Sequence, residues 1–155
     1  MKLKNLLLIT GLTAICLIGT VCNKKEQLQS LANTQWKLAG IFDTQTNTLK
    51  ELEPKDCDEC YTLNFLSDST LTGRGVNIPI APTAGYIIVD YTLSTIWFGF
   101  FIPDVSEPYD GNEYWGCFFA GPNHEFELSD TELKLYYKSY LTDKVNYLLY
   151  KRRSL

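Results

Sequence analysis

The sequence predicts an all-β fold with minor helix: a compact antiparallel barrel or sandwich of about seven to eight strands behind an N-terminal signal. Three observations carry this reading. Tyr, Phe, Trp, Thr and Ile are abundant, and their flat or β-branched side chains fit a pleated surface better than a helix. Apolar spacing at the helical period is nearly absent, and clusters of turn residues repeatedly divide the apolar runs.

Lys2 and Lys4 precede sixteen uncharged residues, Leu6 to Val21, so residues 1–21 read as a bacterial export signal. A spanning helix needs about 20 apolar residues, which makes a permanent membrane span the weaker reading. Cys22 closes the apolar run and Asn23-Lys24-Lys25-Glu26-Gln27 opens a polar one, so residues 22–32 are expected to be a lipidated cysteine and its tether. Val21 stands where Gly or Ala is usual before a lipidated cysteine. Simple secretion and an uncleaved anchor are the competing readings. The expected location is the bacterial cell envelope, as an outer-membrane-anchored lipoprotein attached through its N-terminal lipid.

The 134 residues from Cys22 onward suit one domain, residues 33–155, with no low-complexity tract or internal repeat. Trp36, Leu38 and Gly40 alternate with Lys37, Ala39 and Ile41, which predicts an opening strand with Trp36 buried. Residues 43–48 turn the chain. Tyr61, Leu63 and Phe65 form a second strand, and Ser67-Asp68-Ser69 leads into a third over 70–74, making a hairpin. Pro79 and Pro82 mark a loop or an edge. The β-rich runs 86–89 and 96–101 follow, joined through 90–95. From Pro103 to Gly121 the signal is poor, and 113–119 is open between a short helical turn and a strand. Phe126 and Leu128 meet Leu133 and Leu135 across Ser129-Asp130-Thr131-Glu132 in a second hairpin, and 146–151 returns as the last strand.

The order of these pieces resembles the META domain family of small β-rich bacterial envelope lipoproteins, over about residues 33–152. The resemblance is carried by Asn33-Thr34-Gln35-Trp36-Lys37-Leu38, by Leu63-Asn64-Phe65 with Asp68, by Gly73 to Asn77, by Gly85-Tyr86 and by the closing hairpin. Val76 stands where the family has Cys, and residues 78–84 lengthen that segment. A lipocalin-like barrel is the second resemblance. Neither implies a catalytic triad that these residues could form.

With the signal removed, twelve Lys and Arg stand against eighteen Asp and Glu, a formal charge of −6. Nucleic-acid binding, which needs clustered cations, is not expected of such a surface. Cys57-Asp58-Glu59-Cys60 has the spacing of redox pairs and half-zinc sites, and Cys117 with His124, the chain's one histidine, would complete a tetrahedral set. The neighbouring acids oppose thiolate formation, and an exported chain meets an oxidising compartment, so a Cys57–Cys60 disulfide is the first reading, with no metal and no cofactor. Cys117 is then a small buried hydrophobe. Asp43 to Asn47 lacks the Gly and Glu of a calcium loop, and Gly73-Arg74-Gly75 lacks the ending of a phosphate loop.

The densest feature is aromatic: Tyr91, Trp97, Phe98, Phe100 and Phe101, then Tyr109, Tyr114, Trp115, Phe118 and Phe119. These rings form either core or an exposed patch, and Tyr109, Tyr114, Trp115 and Phe118 are the candidate partner or ligand surface. The resulting expectation is a non-catalytic envelope lipoprotein that binds a protein, peptide or glycan. The alternative is a lipocalin-like carrier of a small apolar ligand. An enzyme is not expected.

Overall fold

The computed structural model describes residues 29–81, 85–99, 106–121, 123–138 and 145–154. The export signal, Cys22, most of the tether, Phe100 and Phe101 lie outside the described residues. Among these residues, ten strands and one helix follow in order: β1 (Thr34–Asp43), β2 (Thr48–Lys50), β3 (Thr62–Phe65), β4 (Leu71–Arg74), β5 (Pro79–Ile80), β6 (Tyr86–Asp90), β7 (Thr95–Gly99), α1 (Gly111–Phe118), β8 (His124–Leu128), β9 (Glu132–Lys138) and β10 (Val145–Arg152). They form one curled antiparallel sheet in the order β5-β4-β3-β1-β10-β9-β8-β7-β6, with β2 paired to β1.

The curl brings the two sides of the sheet together. Leu71 N donates to Gly85 O at 3.0 Å and Ile87 N to Ser69 O at 3.1 Å, so β6 touches the start of β4 while β5 pairs with its other end. Meeting edges leave fewer unpaired backbone groups. The fold is therefore all-β with minor helix, in a barrel-like form rather than a sandwich.

The two hairpins read from local sequence are present. Leu63 faces Gly73 across β3 and β4, and Phe126 faces Leu135 across β8 and β9. The turn after β1 is held by Asp43, whose Oδ1 accepts the amides of Gln45 and Thr46 at 2.8 and 3.0 Å. Strict alternation fails in β1. A register shift between Leu38 and Gly40 inserts a bulge in β1, and Ile41, which alternation assigns to the outer face, is buried with Trp36 and Leu38. Strands β2 and β5, of three and two residues, are too short to leave a periodic signal. Pro79 sits in the short edge strand, where its missing N–H costs least.

Trp36, Phe65, Leu63, Leu71, Ile96, Tyr114, Leu133, Leu135, Leu148 and Tyr150 are almost wholly buried and fill the barrel. Its two ends are closed differently. Leu31 is fully buried at the end where β1 begins, with its N–H donating to the Tyr91 hydroxyl at 2.9 Å. Helix α1 covers the other end, with Tyr114 against Tyr61 at the start of β3 and Phe118 against His124 at the start of β8.

Candidate partner-binding surface

The segment expected to display aromatic rings turns them inward. Tyr114, Trp115 and Phe118 stand at i, i+1 and i+4 of α1, which gathers them on one face, and that face is buried together with Cys117. Polar partners complete the burial. The Trp115 indole Nε1 donates to Glu107 Oε1 at 3.0 Å, and the same buried carboxylate accepts Asn77 N at 2.8 Å and Ile78 N at 2.9 Å. Gly75 makes room for this contact, since a Cβ there would lie 2.4 Å from Glu107 Oε1 and 2.7 Å from Trp115 Nε1. The Tyr150 hydroxyl donates to that of Tyr114 at 3.1 Å, and burial pushes the pKa of both upward. The surface expected from Tyr109, Tyr114, Trp115 and Phe118 is thereby corrected: three of the four rings belong to the core, and Tyr109 alone is exposed.

Cys57 and Cys60 are joined by a disulfide. Lys37 Nζ donates to the carbonyls of Cys57 and Cys60, both at 2.6 Å, and partial burial lowers its pKa against the opposing pull of Asp58. The bridge takes both sulfurs out of any four-ligand set. His124 is buried, with its ring nitrogens facing the carbonyl oxygens of Tyr136 and Phe118 at 3.0 and 3.1 Å. Cys117 is a buried free thiol whose pKa burial raises to about 12. Arg74 donates to Val76 O at 2.8 Å within its own loop. Cys22 lies outside the described residues.

Among the described residues, Tyr86, Ile88 and Trp97 form an outward-facing cluster on β6 and β7, apart from the singly exposed Tyr109 and Phe119. These strands pair Tyr86 with Gly99, Ile88 with Trp97, and Asp90 with Thr95 on the outer face, while Ile87 pairs with Phe98 and Val89 with Ile96 on the inner one. The inner ring of Phe98 packs edge-on against Phe118 and His124, at 5.0 and 5.5 Å between centroids, and this fixes which face turns inward. Outside, Tyr86 is 55 % and Ile88 64 % exposed. The Tyr86 and Trp97 rings lie 5.2 Å apart and converge over Gly99, where a Cβ would come within 2.3 Å of each. The missing side chain allows both rings to lie across the backbone.

Beside this pair runs an open groove of about 320 Å³, lined by Ile88, Asp90, Thr95, Trp97 and Asn123. Asp90 Oδ1 is occupied by the amides of Thr92 and Leu93 at 2.8 and 3.0 Å, and Oδ2 has no protein partner among the described residues. A second groove, about 360 Å³ in volume, lies at the end where β1 starts and is lined by Asn33, Thr34, Gln35, Arg152, Arg153 and Ser154. Its cations are already engaged: Arg153 pairs with Glu59 at 2.8 Å, and the Arg152 guanidinium sits 5.8 Å from the Trp36 ring centre. The β6–β7 face is thus the better candidate. Trp97 belonged to the aromatic run read from sequence, whereas Tyr86 and Ile88 were missed. Every residue from 86 to 89 is apolar, so alternation there gives no sign of which face is wet.

No family model matches the chain, so the META-like pattern rests on the residues that carry it. A Tannerella forsythia protein named "Putative lipoprotein" is 35 % identical over 79 residues, covering 49 % of this chain and 53 % of the relative. The match thus spans about half of each.

Proposed function

We propose that this chain is a non-catalytic lipoprotein of the bacterial cell envelope, anchored at the outer membrane through Cys22, whose META-like β domain binds a glycan on the outer face of β6 and β7. The observation that carries the reading is the Tyr86–Ile88–Trp97 surface beside a groove lined by Asp90, Thr95 and Asn123. A sugar ring combines an apolar C–H face with rim hydroxyls. The ring pair suits the first, and a carboxylate with a neighbouring amide and hydroxyl suits the second. The groove falls at the lower end of the roughly 300–1,000 Å³ range of small-ligand sites. Its openness suits one end or one face of a longer chain. The name of the Tannerella relative supports the lipoprotein half of the reading. A lipocalin-like carrier needs an empty interior, whereas Trp36, Tyr114 and Tyr150 occupy this one.

The test is retention of the protein, purified from Gln27 onward, on immobilised envelope polysaccharide and on a glycan array. Trp97→Ala is expected to weaken retention at least tenfold with little change in melting. Unchanged retention in that variant would remove the surface from the reading. Recovery of one stoichiometric protein from envelope extract, with no glycan retained, would replace the glycan by a protein partner. The anchor is tested separately: Cys22→Ala should abolish fatty-acid labelling and release the protein from the membrane fraction.

A further inference from the structure

The first described residues of the chain are tied to one end of the barrel. Gln29 Nε2 donates to Asp130 Oδ1 at 2.8 Å, Ser30 Oγ to Asp68 Oδ1 at 2.9 Å, and Leu31 N to the Tyr91 hydroxyl at 2.9 Å. Asp68, Tyr91 and Asp130 lie in the turns β3–β4, β6–β7 and β8–β9, which open at this same end. Two of these turns carry an exposed leucine, Leu66 at 49 % and Leu93 at 69 %. Exposure alone does not distinguish them, because Val145 and Leu49 are comparably exposed at the opposite end. The tether does. Six residues separate Cys22 from Gln29, a span of at most about 25 Å when fully extended.

We infer that this end of the barrel docks on the membrane that holds the Cys22 lipid, with Leu66 and Leu93 entering the headgroup region. The inference rests on lipidation of Cys22 as proposed above. Lys151 and Arg152 lie at the same end as Asp68, Asp130 and Glu132. Such a mixed-charge rim suits a surface rich in zwitterionic lipid. The short tether and the two leucines act together: the anchor supplies a high local concentration, so weak apolar contacts suffice to orient the barrel. The outer wall formed by β6 and β7 is then left open to the side.

The experiment places an environment-sensitive dye on Leu66→Cys, Leu93→Cys or, as a far-end control, Val145→Cys in the full lipidated protein. The other thiols do not compete, since Cys22 carries the lipid, Cys57 and Cys60 are bridged, and Cys117 is buried. The protein is reconstituted in phosphatidylethanolamine vesicles containing a minor fraction of phosphatidylglycerol and a nitroxide-labelled lipid. Quenching at 66 and 93 should exceed that at 145 severalfold. Leu66→Ser should reduce quenching at 93 about twofold, a change that proximity through the tether alone would not produce. Equal quenching at both ends, or no effect of Leu66→Ser, in protein that floats with the vesicles would overturn the docking and leave lipidation intact. Failure to float would overturn both.

Discussion

Helix α1 and the β6–β7 hairpin are both rich in aromatic side chains and use them in opposite ways. On α1, Trp115 is 4 % exposed and its indole N–H is met by Glu107, which three donors hold in place. On β6 and β7, Tyr86 and Trp97 lie across a glycine backbone on the outside of the barrel. Residue type does not separate the two sets. What separates them is whether the element turns that face toward the sheet and whether a buried polar partner awaits the ring's N–H or O–H. A ring whose polar atom is satisfied internally serves the fold, whereas a ring left on an open face remains available to a partner.

The largest test of this contrast is truncation on the helix. Trp115→Ala should cost about 3–5 kcal/mol, by loss of buried ring surface and orphaning of one Glu107 contact, and should be read by chemical denaturation. A loss below about 1 kcal/mol would place Trp115 outside the core. Glu107→Gln asks whether the carboxylate, rather than the ring alone, holds α1. A carboxamide has one acceptor oxygen for donors that now approach both Oε1 and Oε2, and its NH₂ would face an N–H. The expected cost is about 1–3 kcal/mol, and a melting temperature equal to that of the parent would mean that the cluster contributes nothing.

The third test uses pH. Burial raises the Cys117 thiol from an ordinary value of 9.0 to about 12, so the folded thiol stays protonated where the unfolded one ionises. The stabilisation is present in full below pH 9 and is lost as pH rises toward 12, because over that window the folded state binds more protons than the unfolded state. Denaturant midpoints from pH 8 to 10.5 should fall, and Cys117→Ala should flatten the slope. An unaltered slope would assign the alkaline loss to tyrosines such as Tyr61, whose pKa burial raises to about 12. The smallest effect is expected on the sheet. Trp97→Ala should change stability by less than about 1 kcal/mol, since the ring packs on the surface, while weakening glycan retention at least tenfold. A stability loss as large as that of Trp115→Ala would erase the distinction between the two sets.

The fold class, the paired strands β3–β4 and β8–β9, the last strand and the burial of Trp36 were legible in the amino-acid order alone. Each follows from neighbours a few residues apart: alternating apolar positions, then Ser and Asp at the turn. Tertiary structure decided what local patterns cannot encode. The bulge after Leu38 returns Ile41 to the core because β10 and β2 fix the register of β1 on both sides. Strands β2 and β5 exist only as additions to edges that other strands provide. Gly111 and Gly116 obscured α1, which forms over a waiting apolar barrel end; packing of an amphipathic face, rather than intrinsic propensity, supplies most of the stability of so short a helix. The candidate site depended on the same kind of information. Residues 86–89 and 96–98 are apolar on both faces, so nothing within either strand says which side is wet. That is decided by Phe98 packing on Phe118 and His124, residues more than 15 positions away along the chain, and the outward turn of Tyr86, Ile88 and Trp97 follows from it.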